Sequence, residues 1–357
     1  VTDTSDTPLA PTSGDVPRQS PFALAPESDR LYSLAADGSR KWIDPVPSVG
    51  PYVRLRKVMG YALIAFFLAM PHVRVHDKPG ILFDLVHRQF TIVGITFHPT
   101  DNLILLAFGA TVIVGLFALT ALWGRLWCGY LCPQPIYLEF VFRPLERLFE
   151  GKVSARRRRD QGPWSLERVA RKTAKWLGFT VVALFLGATF VSYFVGFEAF
   201  VQGLRSEPAA HQAELFTWLF VSALVFFDFA YFRDQMCTVA CPYGRLQTVL
   251  YDADTVIVGY DTKRGEPRAP KRARDVGQLV GDCVDCGRCI ATCPTGMDIR
   301  RGLQMECIGC AQCVEACDDV MAKLGRPLKL IRYTSLRELS GAPRRFVRPR
   351  LFVYGGI

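Results

Sequence analysis

Charged side chains are scarce in this chain: of 357 residues only 21% are Asp, Glu, Lys or Arg, and the 33 acidic residues are outnumbered by 43 basic ones. Half of the residues are hydrophobic and the mean hydropathy is positive, a balance that argues against an ordinary soluble domain and for a membrane. The formal charge of +10 raises nucleic acid as a partner, but a basic excess beside apolar spans is the positive-inside signal instead. The positions of the arginines decide between the two. Aromatic residues are nearly missing from Val1 to Arg40, where Pro, Ser, Thr and Asp prevail. Such a segment buries too little surface to offset its ordering entropy, and residues 1–40 read as a flexible cytoplasmic leader. No signal peptide is evident, and the first residue is Val1 rather than Met, so a processed or partial product is expected. No cysteine is solitary: all twelve fall into paired spacings.

Eight of them form two runs of one pattern, C-x2-C-x2-C-x3-C. The first is Cys283, Cys286, Cys289 and Cys293; the second is Cys307, Cys310, Cys313 and Cys317. A cubane iron-sulfur cluster needs four inward-pointing thiolates, which three closely spaced cysteines and a remote fourth supply. In two-cluster ferredoxins the fourth cysteine of each run ligates the other cluster. Cys283, Cys286, Cys289 and Cys317 are therefore expected to hold one 4Fe-4S cluster, and Cys307, Cys310, Cys313 and Cys293 the other. Gly287, Gly309 and Ala311 let backbone amides approach the sulfurs. Zinc sites of four cysteines come as separated C-x2-C knuckles, and a disulfide framework would not repeat this register. Clusters of this kind imply a reducing compartment.

Apolar runs of spanning length cover residues 103–124 and 176–197. A fourth span is expected over 215–232, interrupted by Asp228, and a first over about 55–75, with Arg56, Lys57 and Arg74 snorkelling. Between them, Phe90 to Phe97 is rich in β-branched residues and favours a hairpin. The loop between the second and third spans holds twelve Lys and Arg, including Arg156, Arg157, Arg158 and Arg159; the loops before and after hold few. The positive-inside rule then makes that loop, both ends of the chain and the cysteine runs cytoplasmic, and it accounts for the arginines without nucleic acid. After the second run, Arg344, Arg345, Arg348 and Arg350 precede the apolar Leu351 to Ile357, so residues 341–357 read as the entry to a possible fifth span. The expected fold is an α-helical membrane protein: a four-helix transmembrane bundle in residues 41–250 with a cytoplasmic bacterial-type 2(4Fe-4S) ferredoxin module of α+β type in residues 251–340.

The other four cysteines mark an internal repeat. Trp123-Gly124-Arg125-Leu126-Trp127-Cys128-Gly129-Tyr130-Leu131-Cys132-Pro133 and Tyr231-Phe232-Arg233-Asp234-Gln235-Met236-Cys237-Thr238-Val239-Ala240-Cys241-Pro242 each read as a span end, an Arg, then C-x3-C-P. Cysteines four apart share a helix face, so each pair, or both together, form a sulfur site. Proline disfavours helix before it and starts a new one, which sets Cys132 and Cys241 at helix N-termini where the dipole lowers a thiol's pKa; Arg125 and Arg233 push the same way. Soft thiolates suit Cu(I), zinc or a cluster. Asp228, inside a span, is a functional candidate or an ion-pair partner of Arg233. The five histidines, His72, His76, His87, His98 and His211, all fall in outer loops, where they mark an external metal or haem site or are merely solvated.

These features together resemble the FixG/RdxA/CcoG family of cytochrome c oxidase accessory proteins. The resemblance rests on Lys41-Trp42-Ile43, Arg88-Gln89-Phe90-Thr91, Ala121 to Arg125 with Cys128 to Gln134, Cys237 to Gly244, and Cys283 to Met321. It implies a multi-pass protein of the bacterial cytoplasmic membrane that reduces Cu(II) to Cu(I) for assembly of a cbb3-type haem-copper oxidase. Copper, the oxidase assembly machinery, an electron donor and the lipid bilayer would be its partners, and an oxidoreductase of the cupric reductase type its enzyme class. Family members usually continue into a fifth span and an immunoglobulin-like outer domain. The same residues also suit a relay between quinol or a soluble donor and a respiratory enzyme, or a non-catalytic assembly factor or redox sensor.

Overall fold

The structure, a computed structural model, describes residues 33–34, 37–75, 78–84, 88–206, 211–269, 280–349 and 352–353. Most of the expected leader, His76, His87 and most of the apolar end after Arg350 lie outside the described residues. Helix α1 (Pro51–Ala69) starts with proline in its first turn, where the missing N–H costs nothing. It ends at Ala69, and Arg74–Val75 is a short strand, β1, paired with β2 (Lys78–Pro79). The expected helix through Val75 is thus cut short by the turn at Pro71. Strands β3 (Ile81–Asp84), β4 (Gln89–Ile92) and β5 (Ile95–Phe97) form an antiparallel meander, as the β-branched run suggests. Phe83 pairs with Phe90, and Phe90 with Phe97.

Then follow α2 (Asn102–Trp123), α3 (Pro133–Tyr137), α4 (Arg143–Glu150), α5 (Val153–Gln161), α6 (Leu166–Val195), α7 (Phe197–Ser206), α8 (Gln212–Phe227) and α9 (Pro242–Leu250). Among the described residues three helices are long and apolar enough to cross a membrane: Leu103–Trp123, Leu166–Val195 and Gln212–Phe232. Helix α1 is not one of them, because Arg54, Arg56 and Lys57 lie in its first turns. Helix α6 begins ten residues before the expected 176, where Ser165 caps it by accepting from the Arg168 N–H at 3.2 Å. Its close approach to α8 depends on small residues, as in membrane helix pairs generally: a Cβ at Gly187 would stand 2.2 Å from Ser222 Oγ. Trp218 Nε1 adds a bond to Leu184 O at 2.9 Å. Below this pair Phe142 stacks on Phe229 (4.3 Å, 12°) and meets Phe179 edge-on. Helix α2 is little buried along its apolar length.

The remaining elements are β6 (Ile257–Tyr260), α10 (Thr262–Gly265), α11 (Arg288–Ala291), α12 (Gln312–Lys323), β7 (Ile331–Thr334) and α13 (Leu336–Ser340). Strands β6 and β7 pair antiparallel, Ile257 opposite Thr334. A core of Val258, Tyr260, Met297, Ile299, Val314, Met321, Leu330 and Ile331 closes around the cysteine runs. The two ends of the molecule differ. The meander sits at the Phe194 end of α6, where Phe83 meets Phe194 and Arg74 pairs with Glu198. The cysteine-bearing elements gather at the other end. There residues 40–50 strap across them, with Thr292 Oγ1 donating to Val46 O at 2.8 Å and the Tyr52 N–H to Glu315 at 2.7 Å.

Candidate redox site

The internal repeat is reproduced in the course of the backbone. Helix α2 ends at Gly124 (φ 58°, ψ −124°), and the helical run of α8 ends at Arg233 (φ 50°, ψ −118°). Each lies four residues before a cysteine, Cys128 or Cys237. A π-helical turn follows in both, Trp127–Leu131 and Met236–Ala240. Each closes with one bond of 2.8 Å, from the Cys132 N–H to Trp127 O and from the Cys241 N–H to Met236 O. Cys132 and Cys241 are then extended (ψ 127° and 110°) because a proline follows, and each stands at the N-cap of the next helix, α3 or α9, as the C-P pairs suggest.

The register corrects the reading of the two arginines. Gly124 corresponds to Arg233, and Arg125 to Asp234, so Arg125 and Arg233 are not equivalent. Arg233 holds a left-handed conformation that glycine takes without strain and a larger residue takes at a cost. Three contacts hold it there. Its guanidinium is bidentate to Glu146 (3.2 and 2.8 Å), its N–H donates to Asp228 O at 2.5 Å, and its carbonyl accepts from Gln134 Nε2 at 3.0 Å. Arg233 therefore does not activate a thiol, nor does its side chain pair with Asp228. The partner of Asp228 is Gln134, whose Nε2 donates to Oδ1 at 3.1 Å. Gln134 thus ties the first thiol turn to the second.

The two turns lie together, near enough that the charges of Cys132, Cys128 and Cys241 all bear on Cys237. The expectation of activated thiolates is overturned by burial. Desolvation pushes the Cys128 thiol up to about 12 against the pull of Arg125, and it raises Cys132 and Cys237 as well. A soft metal ion arriving here must displace protons.

The two ferredoxin-type runs share a backbone device. Asp285 (φ 49°) and Gly287 (φ 66°) in the first correspond to Gly309 (φ 69°) and Ala311 (φ 57°) in the second. Alternating left-handed residues wind each run around a centre. One pocket is lined by Cys283, Cys286, Cys289 and Cys317. Another is lined by Cys293, Cys307, Cys310 and Cys313, with Cys289 on the shared wall. Sulfur donors from both runs thus border each pocket, a donor set that fits a 4Fe-4S group. Among the described residues no three His, Cys, Asp or Glu side chains are drawn together to the distance that grips a metal ion, and the cysteines carry no disulfide. Cys286 is exposed, whereas Cys310 is buried. One pocket therefore opens to solvent and the other faces the thiol turns.

That second pocket and the first thiol turn meet backbone to backbone. A Cβ at Gly129 would stand 2.9 Å from Gly309 O and 3.0 Å from Ile308 O. Arg125, 6% exposed, donates to Met305 O, to Cys307 O at 3.0 Å and to Gly244 O at 2.6 Å. One side chain thereby fixes the second run and helix α9 to the end of α2. Arg56, expected to snorkel, is instead 1% exposed and donates to Gly129 O at 2.6 Å. Tyr333 OH donates to Gly309 O at 2.7 Å.

Sequence reasoning placed Arg56 at the membrane surface and passed over Gln134, Glu146 and Gln247. The last is wholly buried and accepts from Cys128 Sγ at 3.3 Å. Only Gln134 left a signal, its place directly after Cys132-Pro133. Of the histidines, His72 packs edge-on to Phe197, His98 is exposed, and His211 meets Glu214 at 3.2 Å. These three form no metal-gripping group.

Residues 232–336 match the family model of a 4Fe-4S dicluster domain, and residues 105–155 that of a 4Fe-4S binding domain. The nitrogen fixation protein FixG of Rhizobium meliloti is 35% identical over 306 residues, 84% of this chain and 58% of that protein. The proteins RdxA and RdxB of Cereibacter sphaeroides are each 36% identical, over 77% and 79% of this chain and 58% and 60% of their own lengths. The chain belongs to the FixG/RdxA family. It spans less than two thirds of the length of these relatives. No solved structure matches. Membership, together with the domain matches, makes it an iron-sulfur redox protein with helices apolar enough for a membrane. The match over 105–155 contains Cys128 and Cys132 and none of the eight cysteines of the runs, so the family's iron-sulfur signature reaches into the first thiol turn.

Proposed function

We propose that this FixG/RdxA-family chain is a membrane-bound cupric reductase that hands single electrons to a copper ion at Cys128, Cys132, Cys237 and Cys241. The observation that carries this reading is the backbone contact between Gly129 of the first thiol turn and Gly309 of the second cysteine run. The ligands are Cys283, Cys286, Cys289 and Cys317 for one 4Fe-4S cluster and Cys293, Cys307, Cys310 and Cys313 for the other. Bound there, such clusters supply one-electron chemistry. The substrate step is Cu(II) plus one electron to Cu(I), the electron coming from an external reductant. Thiolates favour the soft Cu(I) product. Burial keeps water from the sulfurs, and Gln134 with Arg125 holds both turns in register.

The basic loop between the second and third spans argues for a bacterial inner-membrane protein with its thiol turns and ferredoxin module cytoplasmic. The transmembrane part is residues 41–250, and the ferredoxin domain residues 251–340. Cu(I) made at that face serves assembly of a cbb3-type haem-copper oxidase. Purified, anaerobic protein should lose its reduced-cluster spectrum on adding Cu(II), and Cys128→Ser with Cys237→Ser should abolish this while iron is retained. Unchanged cluster oxidation in the double variant rejects the thiol site.

A second reading, electron relay from quinol, has one observation in its favour. A shallow pocket at the end of α2 is lined by Trp123, Arg125, Tyr251, Tyr333 and Cys307. Cluster reduction by a quinol that Trp123→Ala weakens would support it; no response to quinol would remove it.

A further inference from the structure

The thiol site contains a polar group that its cysteines do not account for. Gln247 lies on α9, six residues beyond Cys241, and is 0% exposed. Its Oε1 accepts from Cys128 Sγ at 3.3 Å, while its Nε2, with two N–H donors, has no partner. Burying an amide nitrogen without a partner is costly, and hydrophobic residues of the same size are available for mere filling. The orphaned donor makes sense once the sulfur is a ligand. A metal-bound thiolate has no proton to give Oε1, but it accepts readily. A half-turn of the amide then brings one Nε2–H to the same sulfur, so that the group facing the ligand is a donor and no longer an acceptor.

We propose that Gln247 is a positioning residue for the metal at the thiol turns, a side chain that gives Cys128 its proton acceptor when the site is without an ion and its N–H donor when an ion is bound. The inference rests on the thiol turns being the metal site. Donation from a neutral amide draws charge from the sulfur without adding a cation, which favours the reduced, less charged ion over the oxidised one. Outer partners of this kind change metal affinity by about 10- to 100-fold. The other groups facing the turns do not do this work: Gln134 is committed to Asp228 and the Arg233 carbonyl, and Arg125 to three carbonyls.

The test is Cu(I) affinity, measured anaerobically on the full chain in lipid nanodiscs by competition with a chromophoric Cu(I) chelator. Gln247→Met keeps the length and shape of the side chain but removes donor and acceptor; Gln247→Glu keeps an acceptor and removes the donor. The proposal expects both to weaken Cu(I) binding by about 10- to 100-fold, Gln247→Glu at least as much as Gln247→Met. Both should retain iron and melt near the wild-type temperature. In the Cu(II)-loaded protein both should shift the sulfur-to-copper charge-transfer band. Wild-type affinity in Gln247→Met, or loss in Gln247→Met with retention in Gln247→Glu, overturns it. Cys128→Ser separates the two levels of the argument. If Cys128→Ser binds Cu(I) as wild type does, the metal site itself is wrong; if it loses binding while Gln247→Met does not, only the role of Gln247 is wrong.

Discussion

Replacing Arg125 by leucine should loosen the second cysteine run from the thiol turns. The Arg125 side chain is almost wholly buried and is the shared donor to Met305 O, Cys307 O and Gly244 O. A hydrogen bond from a charged donor contributes about 1.5–3 kcal/mol, and the carbonyls left behind are costly to bury unpaired. Three bonds from one guanidinium are not independent, so the loss should come to roughly 3–6 kcal/mol. Against a typical stability of about 5–15 kcal/mol that is a large share. Arg125→Lys retains the charge and one good bond and should lose about half as much. Thermal unfolding in nanodiscs, followed by tryptophan fluorescence beside iron release, reads both effects. Iron should leave at lower temperature in Arg125→Leu, because the run carrying Cys307 is what the side chain anchors. Loss of the positive charge should also push the Cys128 thiol further up, slowing its alkylation at a given pH. A melting curve and iron content equal to wild type would refute the clamp.

Other consequences follow from the same geometry. Burial alone would raise the Glu146 carboxyl, but Arg233, with Arg156 and Lys175, overrides it and holds the group down to about 2 from 4.5; its contribution, roughly 3 kcal/mol, should be full above pH 4.5 and fall away as pH drops toward 2. Glu146→Gln should show no such acid limb and should cost about 3–5 kcal/mol at neutral pH by leaving buried cations unpaired, which chemical denaturation at several pH values measures. Arg233→Gly should relieve backbone strain yet lose the Glu146 pair, for a net loss of about 2 kcal/mol in the same assay; a gain in stability would mean the pair contributes little. Because Cys286 is exposed and Cys310 buried, controlled air exposure should release iron from the first pocket before the second, monitored by iron analysis of wild type against Cys286→Ser. Cu(I) affinity should rise between pH 6 and 8, since burial keeps Cys128, Cys132 and Cys237 protonated and binding must release those protons; a pH-independent affinity would contradict protonated thiols.

Local signals carried much of this structure. Uncharged runs became α2, α6 and α8, alternating β-branched residues became the meander, and each Cys-Pro pair ended one helical turn and began another, all through interactions within a few residues. What stayed hidden depends on partners far along the chain. Arg56 reads as a snorkelling residue on its own helix, and only Gly129 O, from a turn folded back beneath α1, gives it a buried acceptor. Arg233 looks like a thiol activator in the linear pattern, yet Glu146 claims it. The repeat was visible in its cysteines, but its true register, Gly124 against Arg233, appears only in φ and ψ. Thiol acidity was misjudged because helix ends and charges are legible in sequence while burial is not. Gln247 carries no motif at all.

The most direct test mixes anaerobic, dithionite-reduced protein, freed of excess reductant, with one equivalent of Cu(II) and follows the cluster absorbance and the Cu(II) paramagnetic signal together. Wild type should lose the Cu(II) signal and regain oxidised-cluster absorbance in equal amounts, one electron per copper. The Cys128→Ser, Cys237→Ser variant should keep its Cu(II) signal and its bleached, reduced clusters, with its iron intact. Equal oxidation in that variant, or clusters in wild type that stay reduced in the presence of Cu(II), would contradict the assignment of the thiol turns as the place where copper takes its electron.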